Sequence, residues 1–224
     1  DGKKVEIKNS EEAQKLVDDI KGKSFIVQEV KTSEKKRYPD APFTTSTLQQ
    51  EAFNKLRFNA VKTMLIAQQL YEGIDIGQDT PVGLITYMRT DSTKVAPEAI
   101  GQARDLILKD FGKDYLPDTP PVYKTKKFAQ EAHEAIRPSL ISRPAQSLKD
   151  FLTPDQFKLY ELIYNRFIAS QMSPSRYSVT SVEIVAGNYT FSASGSRLIF
   201  DGFNRIYQKN EEDQDKASIP ALKK

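Results

Sequence analysis

The segment Gly83-Leu84-Ile85-Thr86-Tyr87-Met88-Arg89-Thr90-Asp91-Ser92 gathers a phenol, a guanidinium, a carboxylate and several hydroxyls directly after a short apolar run. It reads as the end of a strand. If the chain is extended there, Tyr87 and Arg89 point to the same face, because side chains alternate along a strand. A tyrosine phenol, with a pKa of about 10, is a poor nucleophile until its charge is stabilised. A guanidinium two residues away could favour the phenolate and also bind a phosphate oxygen, so the pair suits attack on a phosphodiester. The same residues also suit a half-buried core tyrosine beside a surface cation, which is the commoner use of such a pair, so residue types alone leave both readings open. His133 is the only histidine. It stands four residues before Arg137, a spacing that puts both on one helix face if a helix reaches Arg137, which Pro138 opposes.

The elements around these residues change period twice. Residues 1–42 predict a short strand through Lys4-Val5-Glu6-Ile7 and then a helix capped by Asn9, with Glu12 reaching back as in a capping box. Ala13, Leu16, Val17 and Ile20 give that helix one apolar side, and a strand follows over residues 24–30. From Thr44 the spacing turns helical. Ser46-Thr47-Leu48-Gln49 predicts a second capping box, with Leu48, Ala52 and Leu56 behind it. A break at Phe58-Asn59 precedes a helix stopped by Gly73. Pro97 and Pro154 each suit the first turn of a further helix, and the Phe157, Tyr160, Leu162, Tyr164 and Phe167 set reads as core. Beyond Pro174 a period of two returns, with Ala186-Gly187-Asn188 as a hairpin turn. Isolated hairpins rarely stand alone in water. The expected fold is therefore mixed α/β with more than one domain: a mainly helical domain, residues 43–173, inserted into a discontinuous β-rich domain made of residues 1–42 and 174–224.

Composition sets limits. With 224 residues, 38% hydrophobic and 28% charged, the chain has the balance of a globular protein. No apolar run approaches the roughly 18 residues of a membrane span, and the opening Asp1-Gly2-Lys3-Lys4 lacks the features of a signal peptide and an initiator methionine, as expected of part of a longer protein. Zero cysteines exclude disulfides, thiolate zinc sites and cysteine nucleophiles, and one histidine excludes multi-histidine metal sites. The net charge of +3 is spread evenly, so charge alone supports no nucleic-acid footprint. The pair of helices around Asn59 has the outline of a helix-turn-helix, but residues 59–71 offer only Lys62 as a base, and a helical corner is the simpler account.

The run from Gly83 to Ser92 resembles, throughout, the stretch in which type IA DNA topoisomerases carry their nucleophile. Pro42-Phe43-Thr44-Thr45-Ser46-Thr47-Leu48-Gln49-Gln50-Glu51-Ala52 is similar to the entry into that family's catalytic helical domain, and Ala132-His133-Glu134-Ala135-Ile136-Arg137-Pro138 to another of its motifs. Methionine after the tyrosine resembles the bacterial topoisomerase I branch more than the topoisomerase III branch. The resemblance implies that Tyr87 becomes joined to a DNA 5′-phosphate, that Arg89 holds the scissile phosphate, and that His133 serves the nucleotide site with Asp91 as its partner and Arg137 nearby. It also implies relaxation of negatively supercoiled DNA without ATP, single-stranded DNA as the cleaved partner, a β-rich domain acting as a hinge, and a location in the bacterial cytoplasm at the nucleoid. The family's Mg²⁺-binding acidic domain normally precedes this region, so no metal or other cofactor is expected within the chain. Asp213-Gln214-Asp215 reads as a solvated surface run. This piece alone is then expected to be inactive, working with the remaining domains of its parent. The alternative is a nucleic-acid-binding or self-associating module, such as a homodimer, with no chemistry of its own.

Overall fold

The computed structural model describes residues 5–123 and 133–207. Within them the chain divides into two compact units, one comprising residues 5–36 and 176–199, the other residues 37–123, 133–175 and 200–207. The acidic run 211–215 and Lys4 lie outside the described residues.

In the first unit, helix α1 (Ser10–Ile20) is capped as its sequence suggests, the Asn9 side chain accepting from the Glu12 N–H at 2.9 Å. The Glu12 carboxylate reaches one residue further than expected, to the Lys8 N–H. No α1 residue is fully buried, so the Ala13, Leu16, Val17, Ile20 side is only partly covered. The expected strand at residues 4–7 is absent where described: residues 5–8 are irregular, with Val5 and Ile7 exposed and no neighbouring strand to accept them. The sheet is three-stranded in the order β1 (Ile26–Arg37), β2 (Ser175–Ala186), β3 (Tyr189–Phe200). Thr32 meets Thr180 while Glu34 pairs with Arg176, contacts in opposite order along the two strands, which makes β1 and β2 antiparallel. β1 continues past the expected end at residue 30 because β2 is long enough to pair it to Arg37. α1 is tied to β3 by the Tyr189 hydroxyl, which donates to Asp19 at 2.7 Å.

The second unit is mainly helical: α2 (Thr45–Glu51), α3 (Ala60–Glu72), α4 (Pro97–Asp110) and α5 (Pro154–Ser170). The second capping box falls two residues earlier than the sequence suggested, with Thr44 as the cap and Thr47 closing it, because Thr44 is the last extended residue. α2 then widens into a π turn over Ala52–Leu56 and stops at Arg57, whose φ of 59° is left-handed. Asn59 caps α3, Gly73 with φ 133° ends it, and a Thr153–Gln156 capping box starts α5. One core joins Phe43, Leu48, Leu70, Met88, Ile107, Ile136 and the inner side of α5, with Tyr160, Tyr164 and Phe167 in it.

Residues 37–42 and 200–207 pack with this unit instead of the β-rich one, one difference from the expected boundaries. The reason is local. The buried Arg166 donates to the Ala41 carbonyl and pairs with Asp40 at 3.4 Å, and Phe203 and Tyr207 are buried in the helical core. Lys62, the lone base of the would-be recognition helix, is held by Asp155 at 2.7 Å. No helix among the described residues is long and apolar enough to cross a membrane.

Candidate functional site

Three chain segments that are far apart in sequence build the site within the helical unit. The first is the start of α2, the second residues 84–92, and the third residues 133–139. Ile136 bridges Phe43, and Ile85 bridges Pro138, both antiparallel. Around the second bridge the Thr86 N–H donates to the Arg137 carbonyl and the Ser139 N–H to that of Leu84, each at 2.9 Å. The ladder stops there because the next N–H on that side, that of Arg137, goes to the Thr86 hydroxyl, and the one after it, that of Ala135, to the Lys94 carbonyl. Residues 133–138 are not helical, with isolated bridges at Ile136 and Pro138, so a helix that would put His133 and Arg137 on one face does not form. The expected strand end at residues 83–92 is likewise reduced to one bridge, after which the backbone bends.

Past that bridge the alternation survives without a ladder. Tyr87 and Arg89 are exposed while Met88 and Thr90 are buried, so the two candidate side chains do share one side of the segment. That side opens on a pocket of about 630 Å³. Tyr87, Arg89, Thr90 and Asp91 line it from one segment, Thr45, Ser46 and Gln49 from the first turns of α2, and His133 from the third segment. The Tyr87 ring is held edge-on by two others, Tyr71 at 5.4 Å and His133 at 5.8 Å between centroids. Its ring orientation is therefore set by neighbours, while the side chain stays 40% exposed and able to meet a ligand.

The structure brings four of the five sequence-derived site residues together. Asp91 and His133 line the same pocket, although among the described residues no hydrogen bond or ion pair joins them. Arg89 likewise makes no ion pair among the described residues, which leaves its guanidinium available to an anion. Arg137 is the exception. Its Nε and Nη2 both donate to Glu134, at 3.0 and 2.6 Å, and its Nη1 donates to the Pro138 carbonyl at 3.0 Å. A guanidinium used in this way holds the third segment in shape, and Arg137 does not line the pocket.

Sequence reasoning missed Tyr71 as a neighbour of the site. Nothing in the local pattern around it signals the contact, which depends on α3 ending against Gly83: a Cβ on Gly83 would stand 2.7 Å from the Tyr71 carbonyl oxygen. Thr45, Ser46 and Gln49 were legible only as part of a longer motif. Among the described residues no three His, Asp or Glu side chains converge to hold a metal ion. Phosphate recognition and nucleophilic attack are what the arrangement can do: an accessible phenol, a cation on the same side, and neutral hydrogen-bonding groups opposite.

Comparison with known proteins places the chain. The sequence profile of a family described as DNA topoisomerase matches residues 1–224. DNA topoisomerase 1 of Rickettsia bellii is 46% identical over 226 residues, covering 98% of the chain, and that of Xylella fastidiosa strain 9a5c is 45% identical over 219 residues, covering 94%. The chain spans only 28% and 27% of the lengths of these curated relatives. Full-length topoisomerase I from Thermotoga maritima superposes with a TM-score of 0.80 at 39% identity, over 99% of this chain and 35% of that one.

Proposed function

This chain belongs to the DNA topoisomerase family, with bacterial DNA topoisomerase I enzymes as relatives, and on that premise we propose that it is the central part of a type IA enzyme, in which Tyr87 cleaves a single DNA strand. The phenolic oxygen attacks the backbone phosphorus, a tyrosine–phosphate bond forms, and the P–O3′ bond breaks. The 5′-phosphate stays on the protein, and the departing 3′ oxygen takes a proton to become a hydroxyl. Reversal after strand passage reseals the DNA and changes its supercoiling without ATP. Arg89 neutralises a non-bridging oxygen of the phosphate under attack, and His133 and Asp91 hold the nucleotide beside it. The observation that carries this proposal is the exposure of Tyr87 and Arg89 on one side of a shared pocket, with His133 against the tyrosine ring.

The chain alone is proposed to bind DNA without cutting it. Phosphoryl transfer depends on electrostatic help at the leaving oxygen. Mg²⁺ in the parent enzyme is proposed to be held by another of its domains, and the parent's other domains complete the site.

The test uses the full-length parent and the 224-residue chain with a labelled single-stranded oligonucleotide on a denaturing gel. Tyr87→Phe removes one oxygen and keeps the ring packing, so the covalent adduct should vanish while noncovalent binding persists. Arg89→Ala should lower cleavage by about 10²–10³, the usual effect of losing one group that stabilises developing charge. His133→Ala should weaken single-stranded DNA binding, measured at one fixed low salt concentration because phosphate contacts are salt-dependent. The 224-residue chain should give no adduct with or without Mg²⁺. An adduct from Tyr87→Phe would refute the nucleophile, and one from the isolated chain would refute its dependence on the parent.

A further inference from the structure

Two threonine hydroxyls join the segments of the site, and each serves as both donor and acceptor. The Thr45 hydroxyl donates to the Met88 carbonyl at 2.7 Å and accepts the Thr90 N–H at 2.9 Å. It therefore clamps the backbone on both sides of Arg89. The Thr45 N–H adds a bond to the Thr90 carbonyl at 2.9 Å. The Thr86 hydroxyl donates to the Ala135 carbonyl at 2.7 Å and accepts the Arg137 N–H at 3.0 Å. It clamps the third segment two residues beyond His133, from the residue adjoining Tyr87. These bonds matter because the regular ladder is so short: a single bridge links residues 84–86 to 137–139, and Tyr87 to Arg89 have left it. Without the hydroxyls, Met88, Thr90 and Ala135 would lose the side-chain bonds that fix the bends.

We propose that Thr45 and Thr86 are positioning residues: Thr45 sets the Arg89 guanidinium over the pocket, and Thr86 sets His133 against Tyr87. Each acts through one hydroxyl that serves at once as donor and acceptor. The proposal rests on the assignment of Tyr87 as the nucleophile. It assigns neither threonine a contact with DNA, since the one hydroxyl proton of each is spent on a backbone carbonyl.

The test is a set of double-mutant cycles in the full-length parent, read as the single-turnover rate of adduct formation at sub-saturating oligonucleotide. Valine replaces threonine with nearly the same shape and no hydroxyl; serine restores the hydroxyl. Thr45→Val and Thr86→Val should each slow adduct formation by about tenfold to a hundredfold, the scale at which displacement of a reacting group by about 1 Å is felt. Thr45→Ser and Thr86→Ser should recover most of that loss. The pattern of coupling is the decisive readout. Thr45→Val should add little once Arg89 is alanine but its full factor once His133 is alanine, and Thr86→Val should show the converse. A merely structural role would slow all backgrounds alike. Should a valine variant fail to fold, Thr45→Ala and Thr86→Ala, in which water can reach the freed backbone groups, take its place in the same cycles. Valine or alanine variants with wild-type rates, or equal losses in every background, would overturn the proposal. Tyr87→Phe runs in parallel: an adduct from it sinks the nucleophile assignment, whereas its absence beside unaffected threonine variants sinks only the clamps.

Discussion

The same substitution, glycine to alanine, should move stability in opposite directions at Gly83 and Gly101. Gly83 lies where α3 ends against the tyrosine-bearing segment, and its φ is outside the left-handed region, so alanine suits the backbone itself. The obstacle is space. A Cβ there would stand 2.7 Å from the Tyr71 carbonyl oxygen, about 0.7 Å inside the 3.4 Å at which ordinary contact begins. Neither side can yield freely: the Leu84 N–H donates to Leu70 at 2.7 Å, and Ile74 and Val82 exchange backbone bonds at 3.0 and 2.9 Å. Overpacking of this kind costs about 1–3 kcal/mol. Stretching one backbone bond adds roughly 0.5–1.5 kcal/mol, and the stiffer unfolded chain returns about 0.4–1 kcal/mol. The net is a loss of about 2 kcal/mol, or roughly 4–8 °C in melting temperature for a chain of this size. Gly101 sits exposed inside α4 with nothing within 4 Å of its would-be Cβ. There alanine should gain about 0.5–1 kcal/mol through helix propensity alone. Melting followed by circular dichroism, with the two variants and wild type side by side, reads both effects. A Gly83→Ala protein that melts with wild type, or a Gly101→Ala protein that melts lower, would refute the reasoning.

Arg57 is the one non-glycine residue among those described with a positive φ, and it is exposed. Arg57→Gly should therefore raise stability by about 0.5 kcal/mol, the left-handed strain relieved less glycine's greater unfolded-chain entropy; a lower denaturation midpoint would contradict this. Burial pushes the Tyr164 phenol up to about 12 and raises those of Tyr123, Tyr160 and Tyr207 in the same direction. The folded state then holds these protons more tightly than an unfolded chain titrating near pH 10, so this stability is complete below pH 10 and declines as pH rises towards 12. Each such tyrosine contributes up to about 1.4 kcal/mol of loss per pH unit in that window. Urea midpoints unchanged between pH 10 and 12 would show that these phenols are not buried.

Features encoded within three or four residues were legible in the sequence, because caps and helix faces are local interactions. Asn59 and Thr153 cap their helices, Pro97 and Pro154 open theirs, Gly73 ends α3, and Gly187 turns the β2–β3 hairpin. The side-by-side exposure of Tyr87 and Arg89 followed from alternation alone. Tertiary structure decided the rest. The spacing of His133 and Arg137 would suit one helix face, but residues 133–138 are not helical, since the N–H groups of residues 135–137 go to Lys94, Phe43 and the Thr86 hydroxyl, partners at least forty residues away. The Arg137 guanidinium is held by Glu134 and does not line the pocket. Thr44 outcompetes Ser46 as a cap because the Ile136–Phe43 bridge keeps the chain extended up to it. Tyr71 reaches Tyr87 only because Gly83 lets two backbones approach. Long-range pairing leaves no periodic mark on the residues that make it, so the sequence by itself could specify the shared exposure of Tyr87 and Arg89 but not the partners that hold them.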